Sequence, residues 1–149
     1  LLVEVQALVS TAVYGTPQRS CTGFDTRRLN MLLAVLEKRC GFHLASKDVF
    51  LNVTGGLRVD DPALDLAVCA AILSSQEDRP IPPGVAFAGE VGLGGELRPI
   101  ARMEARIHEA GQLGFEYVWG AKTPGLPKRV QGVHVVALDR ISQVVDNLF

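Results

Sequence analysis

Leucine spacing gives the first structural reading of the chain. In FDTRRLNMLLAVLEKRCG, Leu29, Leu32, Leu33 and Leu36 fall at i, i+3, i+4 and i+7, the stripe of an amphipathic helix. Asp25 or Thr26 can cap its start, and Gly41 can end it. The same spacing returns near the C-terminus in Ile141, Val144, Val145 and Leu148, where Asp139 is the expected cap. LLVEVQALVS and DVFLNVTGG are rich in branched apolar residues and read as strands. In LRVDDPALDLAVCAAIL, Leu57 to Leu73, Asp61 suits an N-cap and Pro62 suits the first helical position. The helix from Pro62 to about Ser75 is apolar on most sides, which predicts a buried element. VAFAGEVGLGGELRPI reads as two strands of a hairpin around Gly92, Gly94 and Gly95. ARMEARIHEAGQLG reads as a helix with Met103, Ile107 and Ala110 inward and Gly114 as its stop. FEYVWGA and VHVVAL read as strands, while YGTPQRSCTG, QEDRPIPPG and KTPGLPKRVQG read as loops. Strands and helices mix without a regular βαβα alternation. The expected fold is therefore α+β, a mixed sheet packed with about four helices in a single domain over residues 1–149.

Composition narrows the possible partners. A chain of 149 residues can bury a core without disulfide or metal staples. A net charge of -1 gives no global positive field, so any polyanion site must be a local patch. Cys21, Cys40 and Cys69 form no CxxC pair and read as reduced thiols, which points to a cytoplasmic location. No apolar run reaches membrane-spanning length, and no membrane partner is expected. The opening LLVEVQALV lacks a basic region and a cleavage site, so it does not read as a signal peptide. Because it also lacks an initiator Met, the chain reads as a fragment of a longer protein.

Candidate chemistry is sparse. GLGGELRP lacks the lysine of a P-loop and does not fit G-x-G-x-x-G, so a hairpin turn explains it better. His43, His108 and His134 are isolated, and no metal site is predicted. Asp60, Asp61 and Asp65 gather at one helix start, where carboxylates satisfy free N–H groups and the helix dipole. Asp65, one turn further in, is expected to be buried and hydrogen-bonded. Basic residues occur as Arg27–Arg28, Lys38–Arg39, Arg58, Lys128–Arg129 and the set Arg98, Arg102 and Arg106. Ordinary surface charge is the plain reading of each set, and phosphate contact is the alternative.

Three longer segments carry a resemblance. VEVQALVSTAVYGTPQRSCTGFDTRRLNMLLAVLEKRCG, DVFLNVTGGLRVDDPALDLAVCAAILSS and GEVGLGGELRPIARMEARIHEAGQLGF follow in order, and the likeness is specific over Gln6 to Phe115. Together they resemble the C-terminal domain of the bacterial DNA-repair RadA (Sms) family. That domain is similar to the proteolytic domain of Lon, whose Ser–Lys dyad lies in segments like DGPSAG and PIGGLKEK. Here DDPALD and PIARMEAR stand in those places, which sets Ala63 at the serine position and Glu104 at the lysine position. A methyl group cannot attack, and a carboxylate cannot act as the neutral amine base. The resemblance thus implies a Lon-like fold with no catalytic residues. PALDLAVCAAIL is also similar to a segment of magnesium-chelatase-like competence proteins, a second-ranked resemblance.

The RadA likeness implies a longer parent with a four-cysteine zinc module and a RecA-like ATPase core, neither of which this chain contains. ATP, Mg and Zn are expected for that parent, and no cofactor for this chain. The implied partners are further copies of itself in a hexameric ring, single-stranded or branched DNA during branch migration, and the recombinase RecA. Arg27, Arg28, Arg58, Arg102 and Arg106 are the DNA-contact candidates. Two rival readings stay open. One is a peptidase using Ser10, Ser20, Ser74, Ser75 or a cysteine, and the other is a purely structural oligomerisation domain without DNA contact.

Overall fold

The computed structural model describes residues 2–55 and 61–149. Arg58 and Asp60 lie outside the described residues. In chain order the elements are β1 (Glu4–Thr11), β2 (Arg19–Thr22), α1 (Thr26–Cys40), β3 (Lys47–Thr54), a 3-10 turn (Pro62–Leu64), α2 (Asp65–Glu77) and β4 (Val85–Ala88). There follow β5 (Glu90–Val91), β6 (Leu97–Arg98), α3 (Met103–Gln112), β7 (Tyr117–Ala121), β8 (Arg129–Val130), β9 (Val133–Leu138) and α4 (Ile141–Leu148). The fold is α+β, as expected, with mixed β-structure and four α-helices among the described residues. The strands do not form one sheet. They divide into β1-β3-β2, β4-β7-β9-β8 and the hairpin pair β5-β6. In the first sheet β1 is antiparallel and β2 parallel to β3; in the second β4, β7 and β9 run parallel, with β8 antiparallel on β9.

The leucine stripe of α1 is buried at Leu29, Leu32, Leu33 and Leu36. Burial of each stabilises the fold by roughly 2 kcal/mol. Asp25 accepts the Arg27 N–H at 3.0 Å at the helix start. Gly41 ends the helix in the left-handed region at φ 78°, with its N–H bonded to Glu37 O at 3.2 Å. Helix α2 is buried on most sides from Asp65 to Leu73, as its composition predicts, and joins α1 and β3 in the main core. A smaller core forms where Met103, Ile107 and Ala110 of α3 meet Val118, Val130 and Val133. Gly120 permits that approach, because a Cβ there would lie 2.5 Å from Ala88 O and 2.7 Å from Met103 Cε.

Four local expectations are corrected. YGTPQRSCTG contains strand β2, where Arg19 is tied down by Nη2 on Leu44 O at 2.6 Å and Nε on Lys47 O at 3.1 Å. KTPGLPKRVQG contains the two-residue strand β8. VAFAGEV is not one strand. Gly89 breaks it by donating to Ala63 O at 3.0 Å and accepting from Leu66 N at 3.1 Å, which sends β4 and β5 into different sheets. Finally, Asp139 does not cap α4. The Gln143 side-chain oxygen accepts from the Asp139 and Arg140 N–H groups at 2.7 and 3.1 Å, and the Asp139 carboxylate pairs with Lys122 Nζ at 2.9 Å.

Candidate functional site

Two acids organise the start of α2. Asp61 Oδ1 accepts the Ala63 N–H at 3.0 Å, so it caps the 3-10 turn as its position suggests. Its other oxygen lies 3.5 Å from both Nη1 and Nη2 of Arg106. Asp65 sits one turn further in and is fully buried. Its Oδ1 accepts from Arg28 Nε at 2.6 Å, and its Oδ2 accepts from Arg28 Nη2 at 2.5 Å and from the Val91 N–H at 3.0 Å. The hydrogen bond to Asp65 raises the Arg28 pKa above its ordinary value, against the opposing effect of partial burial. Helix α1, helix α2 and the β5 strand thus meet on one carboxylate, which fulfils the buried hydrogen-bonding role read for Asp65.

A cavity of about 590 Å³ opens beside this start. Ala63, Ala67, Phe87 and Phe115 supply apolar wall, and Asp61, Arg102, Arg106 and Glu109 bring charge to it. Strand β4 and helix α3 form the far sides. Arg102 caps α3 in the left-handed region at φ 60°, without a side-chain cap bond. A non-glycine residue there stores roughly 1–2 kcal/mol of strain. Arg106 is steadied by its Nε on Ala101 O at 3.0 Å.

The sequence candidates land in different places. Ala63 is buried and lines the cavity; Glu104 is exposed in the first turn of α3 and is not part of the lining. Arg102 and Arg106 share the cavity. Arg28 approaches α2 from the side of α1, on Asp65, and Arg27 is exposed at the start of α1. Neither Arg27 nor Arg102 makes an ion pair among the described residues. Two of the stand-in nucleophiles have structural bonds: Ser75 Oγ accepts from Val9 N at 2.9 Å, and Ser74 Oγ donates to Arg79 O at 2.5 Å. Cys69 is fully buried, and desolvation pushes its thiol pKa well above the ordinary value. Burial also raises Cys21 and Cys40. Among the described residues no group of three His, Cys, Asp or Glu could hold a metal ion.

Residues 3–122 match the protein family described as subunit ChlI of Mg-chelatase. The chain belongs to that family. It is also similar, along its whole length, to DNA repair protein RadA of Streptococcus pyogenes serotype M1: 44% identical over 153 residues, covering 100% of this chain and 33% of the relative. DNA repair protein RadA of Bacillus subtilis (strain 168) is 42% identical over 147 residues, covering 97% of this chain and 32% of the relative. The Synechocystis protein of the same name is 50% identical over 116 residues, 78% of this chain and 23% of the relative. The chain spans about a third or less of the length of these curated relatives. The RadA resemblance read from the three sequence segments is borne out, and the chain fits a fragment of a RadA protein.

Sequence reasoning missed the pairing of Arg28 with Asp65. The two lie 37 residues apart, and periodicity carries no information about that distance. The available signal was an acid inside an otherwise apolar helix, which must find a partner when buried.

Proposed function

We propose that this chain is the Lon-protease-like, non-proteolytic domain of a RadA-type DNA recombination and repair ATPase. Its work is ring assembly and DNA contact, not peptide hydrolysis. The carrying observation is similarity to DNA repair protein RadA over the whole chain. The cavity supports the non-proteolytic part: Ala63 offers it a methyl group, and Glu104 lies outside its lining. Full-length RadA-type protein would form a homo-oligomeric, hexameric ring in the cytoplasm and act with RecA on single-stranded or branched DNA. ATP, Mg and Zn would be bound by parts of that protein other than these residues.

DNA contact in this reading goes to phosphates and is therefore sequence-independent and steeply salt-dependent. With a net charge of -1 one domain binds weakly, and a ring gathers several modest patches through effective concentration. Arg27 and Arg102 are the best-placed of the original candidates, because their guanidinium groups are not committed to a carboxylate among the described residues. The test is Arg27→Glu with Arg102→Glu in the ring-forming full-length protein. DNA affinity and its salt slope should both fall while sedimentation shows an intact ring. Unchanged affinity and slope with an intact ring would remove these arginines from the DNA path. A broken ring would make them subunit contacts instead.

A further inference from the structure

A second basic cluster is built around the hairpin turn, away from the cavity. The turn between β5 and β6 is closed by Gly95 N on Gly92 O and Gly92 N on Glu96 O, each at 2.9 Å. The Glu96 carboxylate folds back into it, with Oε1 accepting from Gly94 N at 2.9 Å and Oε2 from Arg98 Nη2 at 3.2 Å. The neighbouring carbonyls of Leu93 and Gly94 accept from two arginines of distant elements. Arg39, in the last turn of α1, donates Nε to Leu93 O at 3.4 Å. Arg140, the N-cap of α4, donates Nη2 to Gly94 O. The Ile141 N–H holds the same turn through Gly95 O at 2.8 Å. The turn therefore draws two cationic side chains from opposite ends of the sequence onto adjacent peptide groups.

Neither guanidinium has a carboxylate partner among the described residues. Lys38, exposed beside Arg39, adds a third cation. Four acids lie near: Glu96, already engaged by Arg98; Asp139, before Arg140 and held by Lys122; Glu37, before Lys38 and accepting the Leu44 and Ala45 N–H groups; and Asp146, which with Arg140 acts on Cys40. Like charges brought together repel, and an anion between them relieves the repulsion. Each arginine spends one N–H on a carbonyl and keeps the rest of its planar fork, which suits a phosphate. The carbonyl anchors also limit the rotamer freedom lost on binding.

We propose that Lys38, Arg39 and Arg140 form a clamp for the phosphodiester backbone of single-stranded DNA. The clamp rests on the DNA-contact reading above and adds to it a second place besides Arg27 and Arg102, the hairpin turn at Leu93–Gly94.

The probe is a fluorescently labelled oligothymidylate, titrated with the 149-residue chain at low and rising salt. Binding by the unaltered chain should weaken with salt. The combined change Lys38→Gln, Arg39→Gln, Arg140→Gln should flatten the slope of log K against log salt by about 2, from roughly 0.7 per lost phosphate contact on a single strand. Lys38→Glu alone touches no bond of the turn and should weaken low-salt binding several-fold, roughly the effect of one or two contacts. Arg39→Lys with Arg140→Lys should keep most of the slope, since the charges remain. Salt-dependent binding that is unchanged in both the triple variant and Lys38→Glu would overturn the clamp while leaving DNA contact elsewhere on the domain. Absence of binding by the unaltered chain even at low salt would overturn the clamp, while the ring-based DNA reading is decided separately by the full-length protein. If the triple variant fails to fold, Lys38→Glu decides: weaker binding supports the clamp, and unchanged binding overturns it.

Discussion

Asp61 and Asp65 stand one turn apart, and each faces an arginine, yet their surroundings differ sharply. Asp65 is sealed, with a side-chain exposure of 0%, and holds Arg28 in a two-pronged pair besides the Val91 N–H. Asp61 is 34% exposed at a cavity and meets Arg106 only at 3.5 Å. Sealing makes the first pair obligatory for Asp65, because removing Arg28 would strand the carboxylate away from water, whereas Arg28 itself keeps 28% of its side chain exposed. Exposure makes the second pair exchangeable, since solvent or a ligand can take either partner's place at little cost. An arginine's sequence neighbours do not distinguish a core strut from a surface contact; what lies opposite it does.

The same contrast runs along α2 and is largest for an inserted charge. Ala70 is fully buried, so Ala70→Lys should unfold the domain, an unpaired buried ammonium being strongly disfavoured. Ala67 is only part-buried and lines the cavity. Ala67→Lys should remain folded, its stem lying along the cavity wall with the charge outward, at a loss of about 1 kcal/mol or less. A helix read only as apolar on most sides and buried does not separate the two alanines. Urea unfolding of both variants checks the distinction, and equal melting would erase it.

Next in size is the pair of acids. Asp65→Ala should cost about 2–3 kcal/mol, by leaving the buried Val91 N–H without an acceptor and the part-exposed Arg28 without its partner. Asp61→Ala should cost about 1 kcal/mol, mostly the lost cap. Equal losses in denaturant titrations would show that burial does not separate them. Charge reversal at Arg28 should likewise read as unfolding, so it cannot report on DNA.

A smaller effect concerns acid. Glu96 has its pKa lowered, first by a hydrogen bond from its own backbone N–H and then by Arg98 and Gly94 N. Its folded pKa lies below its unfolded one, so its contribution is present above the unfolded value and is lost as pH falls through the folded one. Glu96→Gln should flatten the stability profile on that acid limb and leave its neutral-pH slope unaltered. An unchanged acid limb would show that the carboxylate does not help hold the hairpin turn.

Much of the fold was legible because it is local. The stripe at Leu29, Leu32, Leu33 and Leu36, the caps Asp25 and Asp61, the inward face of α3 and the hairpin around Gly92–Gly95 all follow from spacings of a few residues. The misses have a common physical cause. Strands β2 and β8 exist through pairing with a distant or following strand, and β4 and β5 separate because Gly89 bonds to the start of α2. Asp139 lost its capping role to Gln143 because Lys122 holds its carboxylate. At the site, the residues forming the cavity and the ion pairs come from elements far apart in the chain. Ala63 could be singled out from its sequence context, whereas the partners of Arg28, Arg106 and Arg140 could not.

The most direct measurement of the proposed DNA contact is the salt dependence of DNA binding by the full-length protein, with carboxylate-paired and unpaired arginines neutralised separately. Arg27→Gln with Arg102→Gln should lower the slope of log K against log salt by about 1.4 on single-stranded DNA, at roughly 0.7 per contact, while Arg106→Gln, which gives up a loosely held pair with Asp61, should lower it by no more than about half that amount. An unchanged slope in the first variant, or an equal or larger fall on losing Arg106, would contradict the proposed division between arginines paired with a carboxylate and arginines left free of one among the described residues.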